Sequence, residues 1–140
     1  MQRNRPRVLI VDNDEHVLIA LERLLEDQGC QTTTACTSKD ALRLIEAGDA
    51  DLVLLDDYLS DCHCAEILEW LQRRGLQIRC LVTFHHTPQP PVLESLYSLG
   101  VAAVVRKHAH GEIVERVKDL LLVPLYNSGL ESIGERSRNL

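Results

Sequence analysis

Leu52-Val-Leu-Leu55 is apolar on four consecutive positions and stops at Asp56. A strand with one face in water alternates apolar and polar residues, whereas a strand covered on both faces is apolar throughout. The run therefore predicts an interior strand of a parallel sheet. In open parallel α/β sheets, ligands and chemistry collect just beyond the carboxyl ends of the strands. Asp56 stands at such an end and is the first candidate functional residue; the alternative is that it caps the following turn or helix.

The same kind of segment recurs along the chain. Val8-Leu-Ile-Val11 ends at Asp12-Asn13-Asp14-Glu15, after which Val17, Leu18, Leu21, Leu24 and Leu25 repeat at helical spacing as far as Gly29. Acids in a first helical turn complement the helix dipole, which accounts for Asp14 and Glu15. Asp12 belongs to the end of the strand, where that explanation does not reach.

Residues 30–36 are rich in β-branched threonine and predict a second strand. Thr37-Ser-Lys-Asp40 resembles a capping box opening a helix that runs to Gly48. After the 51–55 strand, Ile67, Leu68 and Leu71 mark a third helix ending at Gly75, and Ile78 to Thr83 a fourth strand. Pro90 and Pro91 suit a helix entrance, because the first turn does not need the N–H that proline lacks. The helix they open carries Val92, Leu93, Leu96 and Leu99 and ends at Gly100. Val101–Val105 is a fifth strand, and Ile113, Val114, Val117, Leu120 and Leu121 line a fifth helix. Five strand–helix alternations with strands apolar throughout imply an α/β fold, a parallel sheet with helices on both faces.

A chain of 140 residues suits one such domain with one substantial core. The alternation occupies about residues 7–122; residues 123–140 are polar with isolated apolar positions and read as a C-terminal tail or linker stub. A net charge of −6 argues against broad electrostatic binding to nucleic acid. No apolar run approaches the roughly 20 residues of a membrane span. The basic N-terminus has no signal-peptide core, so the expected location is the cytoplasm. Five cysteines without a CxxC pair are expected as reduced thiols.

The strand ends bring a particular set of groups to one edge: Asp12 and Asn13, Asp56, Thr83, and Arg106-Lys107. Carboxylates gathered there repel unless a cation lies between them, and hard oxygen ligands favour magnesium. A carboxylate can act as a nucleophile toward a phosphoryl group, with a metal, a lysine and a hydroxyl holding the phosphoryl oxygens. These residue types fit phosphoryl transfer onto Asp56 better than hydrolysis of an organic substrate. No Gly-rich phosphate loop or GxSxG elbow suggests another chemistry.

Over about residues 7–122 the chain resembles the response-regulator receiver domains of two-component signalling, the CheY-like family. Asp51-Leu-Val-Leu-Leu-Asp56, followed by Leu59, Asp61 and Glu66, carries the resemblance, and the Gly100–Lys107 block supports it independently. It implies a doubly wound, flavodoxin-like sheet of five strands in order 2-1-3-4-5 with five helices. It implies Asp56 as phosphoacceptor, Thr83 as the hydroxyl that senses the phosphoryl group and Lys107 as its cationic partner. Asp12, Asn13, Asp56 and the main-chain carbonyl of Tyr58 are the implied magnesium ligands. The implied donor is a sensor histidine kinase or phosphotransfer protein. The output is an unidentified protein engaged through the face of the fourth helix, fifth strand and fifth helix, by a shift of populations. A second copy of the chain is a further expected partner; nucleic acid and membrane are not. The family implies a switch that at most dephosphorylates itself, not an enzyme for a diffusible substrate.

Several positions depart from the family. Asn13 replaces the second strand-one acid, which removes one charge from the metal site unless Asp14 swings in. Thr83 takes the hydroxyl position only with a one-residue deletion before it; otherwise Phe84 does. Val104 stands at the aromatic switch position, His108 follows Lys107 in place of proline, and Ser60 and Cys64 replace proline and glycine in the loop after Asp56. All six histidines (His16, His63, His85, His86, His108 and His110) fall at the carboxyl edge, with Cys62 and Cys64 beside His63. Three functions follow: a phosphorylatable receiver, a pseudo-receiver that binds partners without phosphate, and a sensor with a transition-metal or thiol site.

Overall fold

A computed structural model describes residues 5–122, so the expected tail at 123–140 lies outside the described residues. In chain order the elements are β1 (Arg7–Val11), α1 (Glu15–Asp27), β2 (Gln31–Ala35), α2 (Ser38–Glu46), β3 (Leu52–Asp56), α3 (Cys64–Arg73), β4 (Arg79–Phe84), α4 (Pro90–Ser98), β5 (Ala103–Arg106) and α5 (His110–Leu122). The strands form one sheet in order β2-β1-β3-β4-β5, with every neighbouring pair parallel. This is the doubly wound, flavodoxin-like arrangement that the family resemblance implies.

The consecutive apolar runs have a direct physical cause, because successive side chains of a strand point to opposite faces of the sheet. On one face Leu9, Val11, Val53, Leu55 and Val82 pack under Ala41 and Ile45 of α2, Ile67, Leu68 and Leu71 of α3, and Leu96 of α4. On the other, Val8, Ile10, Leu52, Leu54, Leu81 and Val105 pack under Val17, Leu18, Leu21 and Leu25 of α1 and Ile113 and Val117 of α5. Both faces of β1 and β3 are dry, so neither strand has room for alternation. At the margin, β2 needs apolar residues less and is built mainly from threonine.

Helix ends follow the sequence signals. Asp14 caps α1 by accepting a hydrogen bond from the His16 N–H (2.9 Å), and Thr37 caps α2 by accepting one from the Asp40 N–H. Pro90 and Pro91 open α4. Gly29 closes α1 at φ 93°, a left-handed conformation that side-chain-bearing residues rarely adopt, while the Cys30 N–H bonds back to the Leu25 carbonyl. Three strands run one residue past their expected carboxyl ends: β3 includes Asp56, β4 includes Phe84, and β5, which starts at Ala103 rather than Val101, includes Arg106. No peptide bond among the described residues is cis, so Lys107–His108 is trans. Among the same residues, no helix is long and apolar enough to cross a membrane.

Candidate functional site

The alternation of strand side chains decides what meets at the carboxyl edge. Asp56 continues the Leu52–Leu54 row, and register pairs it with Thr83, which continues the row from Leu81. Asp12 continues the Val8–Ile10 row, and Lys107 continues the row from Val105. All four therefore lie on the α1–α5 side of the sheet. The register also separates the two candidates for the hydroxyl position: Thr83 stands beside Asp56, whereas Phe84 belongs to the opposite face with Val82.

Among the described residues the buried polar or charged side chains are Asp12, Asp56 and Thr83, each no more than 3% exposed. Buried charges need partners, and here the partner is shared. The Lys107 ammonium donates to Asp56 Oδ2 at 3.0 Å and lies 3.1 Å from Asp12 Oδ2. Asp12 also accepts from the Asp14 N–H at 2.8 Å. Burial pushes the Asp56 carboxyl above its ordinary range against the pull of Lys107, and neighbouring Asp57 adds to the rise. Asp12 is raised by burial too, opposed by the Asp14 N–H, and its repulsion from Asp56 adds to the rise. For Lys107, burial favours the neutral amine, but the hydrogen bonds to Asp56 and Asp12 outweigh it and the net direction is upward. One ammonium thus holds two carboxylates and leaves the trio negative.

Asp56 does not cap the following helix: α3 is capped by His63, whose Nδ1 accepts from the Ala65 N–H at 3.1 Å. The acceptor nitrogen must be unprotonated for that bond to form. Asp14, considered as a substitute for the missing acid, is committed to the cap of α1. Asn13 is exposed and lines the same cavity as Asp56. Tyr58 and His63 form an isolated antiparallel bridge. Its hydrogen bonds, Leu59 N–H to the Cys62 carbonyl and Cys64 N–H to the Asp57 carbonyl, leave the Tyr58 carbonyl out of the pairing. Val104, paired with Val82, is half-buried on the α2–α4 side.

The transition-metal reading is corrected. The six histidines do gather along this edge, with the His85 ring edge-on to His86 (5.4 Å between centroids) and to His108 (5.3 Å). Yet no group of three or more His, Cys, Asp or Glu side chains among the described residues is placed to hold a metal ion. Cys64 is wholly buried, and burial pushes its thiol up to about 12, so it serves as core rather than as a thiolate ligand.

Two contributions escaped the sequence reading. Asp61 accepts from the Ser38 N–H (3.1 Å) and Ser38 Oγ (2.6 Å), which holds its carboxyl below the usual range and ties the β3–α3 loop to the start of α2. The bond spans 23 positions, and no local spacing signals it. A cavity of about 400 Å3 also opens beside Asp56, walled by Val82, Phe84, Val92 and Leu96.

The response regulator receiver domain model matches residues 8–118. A putative transcriptional regulator of Haloferax volcanii is 27% identical over 123 residues, covering 88% of this chain and 20% of that protein. The response regulator SaeR of Staphylococcus aureus is 26% identical over 115 residues, covering 81% of this chain and 50% of its own. The chain thus spans half the length of these curated relatives or less. Among solved structures, a CheY-like receiver domain protein from Methanospirillum hungatei superposes with a TM-score of 0.76 at 26% identity, over 84% of this chain and 94% of that one. The non-phosphorylated HemR receiver domain from Leptospira biflexa superposes at 0.79 over 89% and 100% of the two chains; at 24% identity it speaks for the fold alone.

Proposed function

The chain belongs to the family of response regulator receiver domains, and from that premise we propose that it accepts a phosphoryl group on Asp56 and thereby switches its affinity for a protein partner. Receiver domains are in general phosphoacceptor switches rather than enzymes, and they typically bind magnesium at the acidic site. They receive their phosphoryl groups from histidine kinases or phosphotransfer proteins. The observation that carries the reading here is the shared Lys107 ammonium, 3.0 Å from Asp56 and 3.1 Å from Asp12, at the carboxyl edge of the sheet.

In the proposed reaction an Asp56 carboxylate oxygen forms a bond to phosphorus while the donor's P–N bond breaks, and the imidazole leaves with the electron pair. Lys107 keeps Asp56 ionised against the pull of burial and remains as a cation for the new phosphoryl oxygens. Thr83, beside Asp56 in register, offers a hydroxyl to the same oxygens. The oxygen donors available for a divalent cation are Asp12, Asp56, the Asn13 amide oxygen and the Tyr58 carbonyl. Two carboxylates with neutral oxygens fit magnesium, which keeps water among its ligands. Bound there, it would neutralise charge that builds up on the phosphoryl group. Transfer of the Thr83 hydroxyl and the Lys107 ammonium to the phosphoryl oxygens would shift the β4–α4 and β5–α5 loops that follow them and bias the α4–β5–α5 face toward a partner-binding state.

We assign residues 7–122 to the receiver and 123–140 to a tail or linker, and expect the chain to act in the cytoplasm with at most self-dephosphorylation as its own catalysis. A second reading, a pseudo-receiver with constitutive partners, is favoured by Asn13 in the site and by Val104 in place of an aromatic residue. Intact-protein mass after incubation with acetyl phosphate, with and without magnesium, separates the two. A magnesium-dependent gain of one phosphoryl group that Asp56→Asn abolishes supports the acceptor. No gain from acetyl phosphate or any other small phosphodonor at any magnesium concentration selects the pseudo-receiver.

A further inference from the structure

We propose that the cavity beside Asp56 is a subsite for the leaving group of a small aromatic acyl phosphate, so that such a molecule donates to Asp56 faster than its aliphatic counterpart. The inference rests on Asp56 being a phosphoacceptor and adds to that reading the chemical class of a small-molecule donor.

The cavity measures about 400 Å3, within the range of small-molecule sites. Part of its lining is polar and reactive, since Asp56 and Lys107 belong to it. Another part is apolar: Val82 and Leu96 are buried, Phe84 is 9% exposed, and Val92 is 42% exposed. Phosphoryl transfer proceeds with attacking and leaving oxygens roughly in line, so a donor's leaving group lies across the phosphorus from Asp56. For a donor entering this cavity, the leaving group then falls among the apolar wall residues. A methyl group, as in acetyl phosphate, buries little surface there. A phenyl ring removes far more apolar area from water and can meet the Phe84 ring edge to face.

The transfer balances without another reactant. An Asp56 carboxylate oxygen bonds to phosphorus, the bond from phosphorus to the acyl oxygen breaks, and the aromatic carboxylate departs with the electron pair. No proton need change hands when both carboxylates are ionised. His85 and His86 line the cavity and offer ring N–H donors to the departing carboxylate. Asp57 lines it as well and opposes any anion, so selectivity comes from the ring rather than from charge.

The test compares benzoyl phosphate with acetyl phosphate at equal concentration in excess magnesium, following intact mass. Each rate is divided by that donor's uncatalysed hydrolysis rate. Benzoyl phosphate is expected to be faster by about tenfold or more, the order set by burying one ring face. Val92→Asp places a charge in the cavity lining in the first turn of α4, where an acid is tolerated, and Val92→Phe fills the space. Each should bring the ratio down toward one. Benzoate, which carries no phosphoryl group, should show saturation-transfer NMR contact with the wild type and lose it in Val92→Asp. Equal normalised rates for the two donors, or a ratio unmoved by both variants, overturn the subsite while leaving the acceptor reading intact. Transfer from neither donor overturns both.

Discussion

Removing the Lys107 ammonium while keeping its stem, as in Lys107→Met, tests the electrostatic account of the site. In the folded protein this side chain is 12% exposed and lies 3.0 and 3.1 Å from two carboxylates that are themselves nearly inaccessible. Deleting one member of a buried charge group costs about 3–5 kcal/mol when the remaining charge is stranded. Because the trio sits at the edge of the sheet, where water or a proton can reach it, the lower end applies, about 3 kcal/mol at pH 7.5. That is a large share of the roughly 5–15 kcal/mol by which a domain of this kind is stable.

The pH dependence gives the sharper test. Asp12 and Asp56 already titrate above their ordinary range through burial, and without Lys107 both move further up. A carboxyl whose folded pKa exceeds its unfolded value binds more protons when folded. Stability therefore falls as pH rises between the two values, and the penalty is complete above the folded one. The deficit of Lys107→Met should accordingly be greatest at pH 7.5 and shrink at pH 5. Urea denaturation of both proteins at the two pH values measures it, and a deficit below about 1 kcal/mol at pH 7.5, or one of equal size at both, would refute the reasoning.

Other outcomes follow from other parts of the structure. Asn13→Asp restores a charge beside Asp12 and Asp56 and should tighten magnesium binding by about tenfold, measured by titration calorimetry, since each charge at such a site is worth on the order of 1 kcal/mol. Thr37→Ala removes the side-chain acceptor for the Asp40 N–H and should cost about 1 kcal/mol in urea. Iodoacetamide at pH 7.5 should label exposed Cys36 first, while buried Cys64 and Cys80, both with thiols pushed up to about 12, should label only on unfolding, which peptide mass mapping would show.

Much of the fold was legible locally. The unbroken runs at Val8–Val11 and Leu52–Leu55 predict strands dry on both faces, and the two clusters that divide their residues are the physical reason. Gly29, Thr37 and Pro90 mark helix boundaries because backbone conformation and capping depend on immediate neighbours. The identities of the edge groups were legible in part: Asp12 and Asp56 each stand where an apolar run stops, and Lys107 lies just past one, whereas the fourth strand offered both Thr83 and Phe84. Long-range pairings were not. The Asp61–Ser38 contact and the walls of the cavity join residues from separate elements, and a histidine at position 63 gives no sign that it will cap α3.

By itself, then, the sequence determined the parallel α/β architecture, the order of its elements and the chemical character of its carboxyl edge, because period and capping are properties of contiguous residues. Only the tertiary structure decided between Thr83 and Phe84 as the neighbour of Asp56, since that depends on strand register. It alone made Lys107 a cation shared by two buried acids, and it set the histidines along the edge without making them a metal centre. The reason is the same in each case: which side chains share a face, and how closely they approach, is set when strands distant in sequence are brought into register under the helices that cover them.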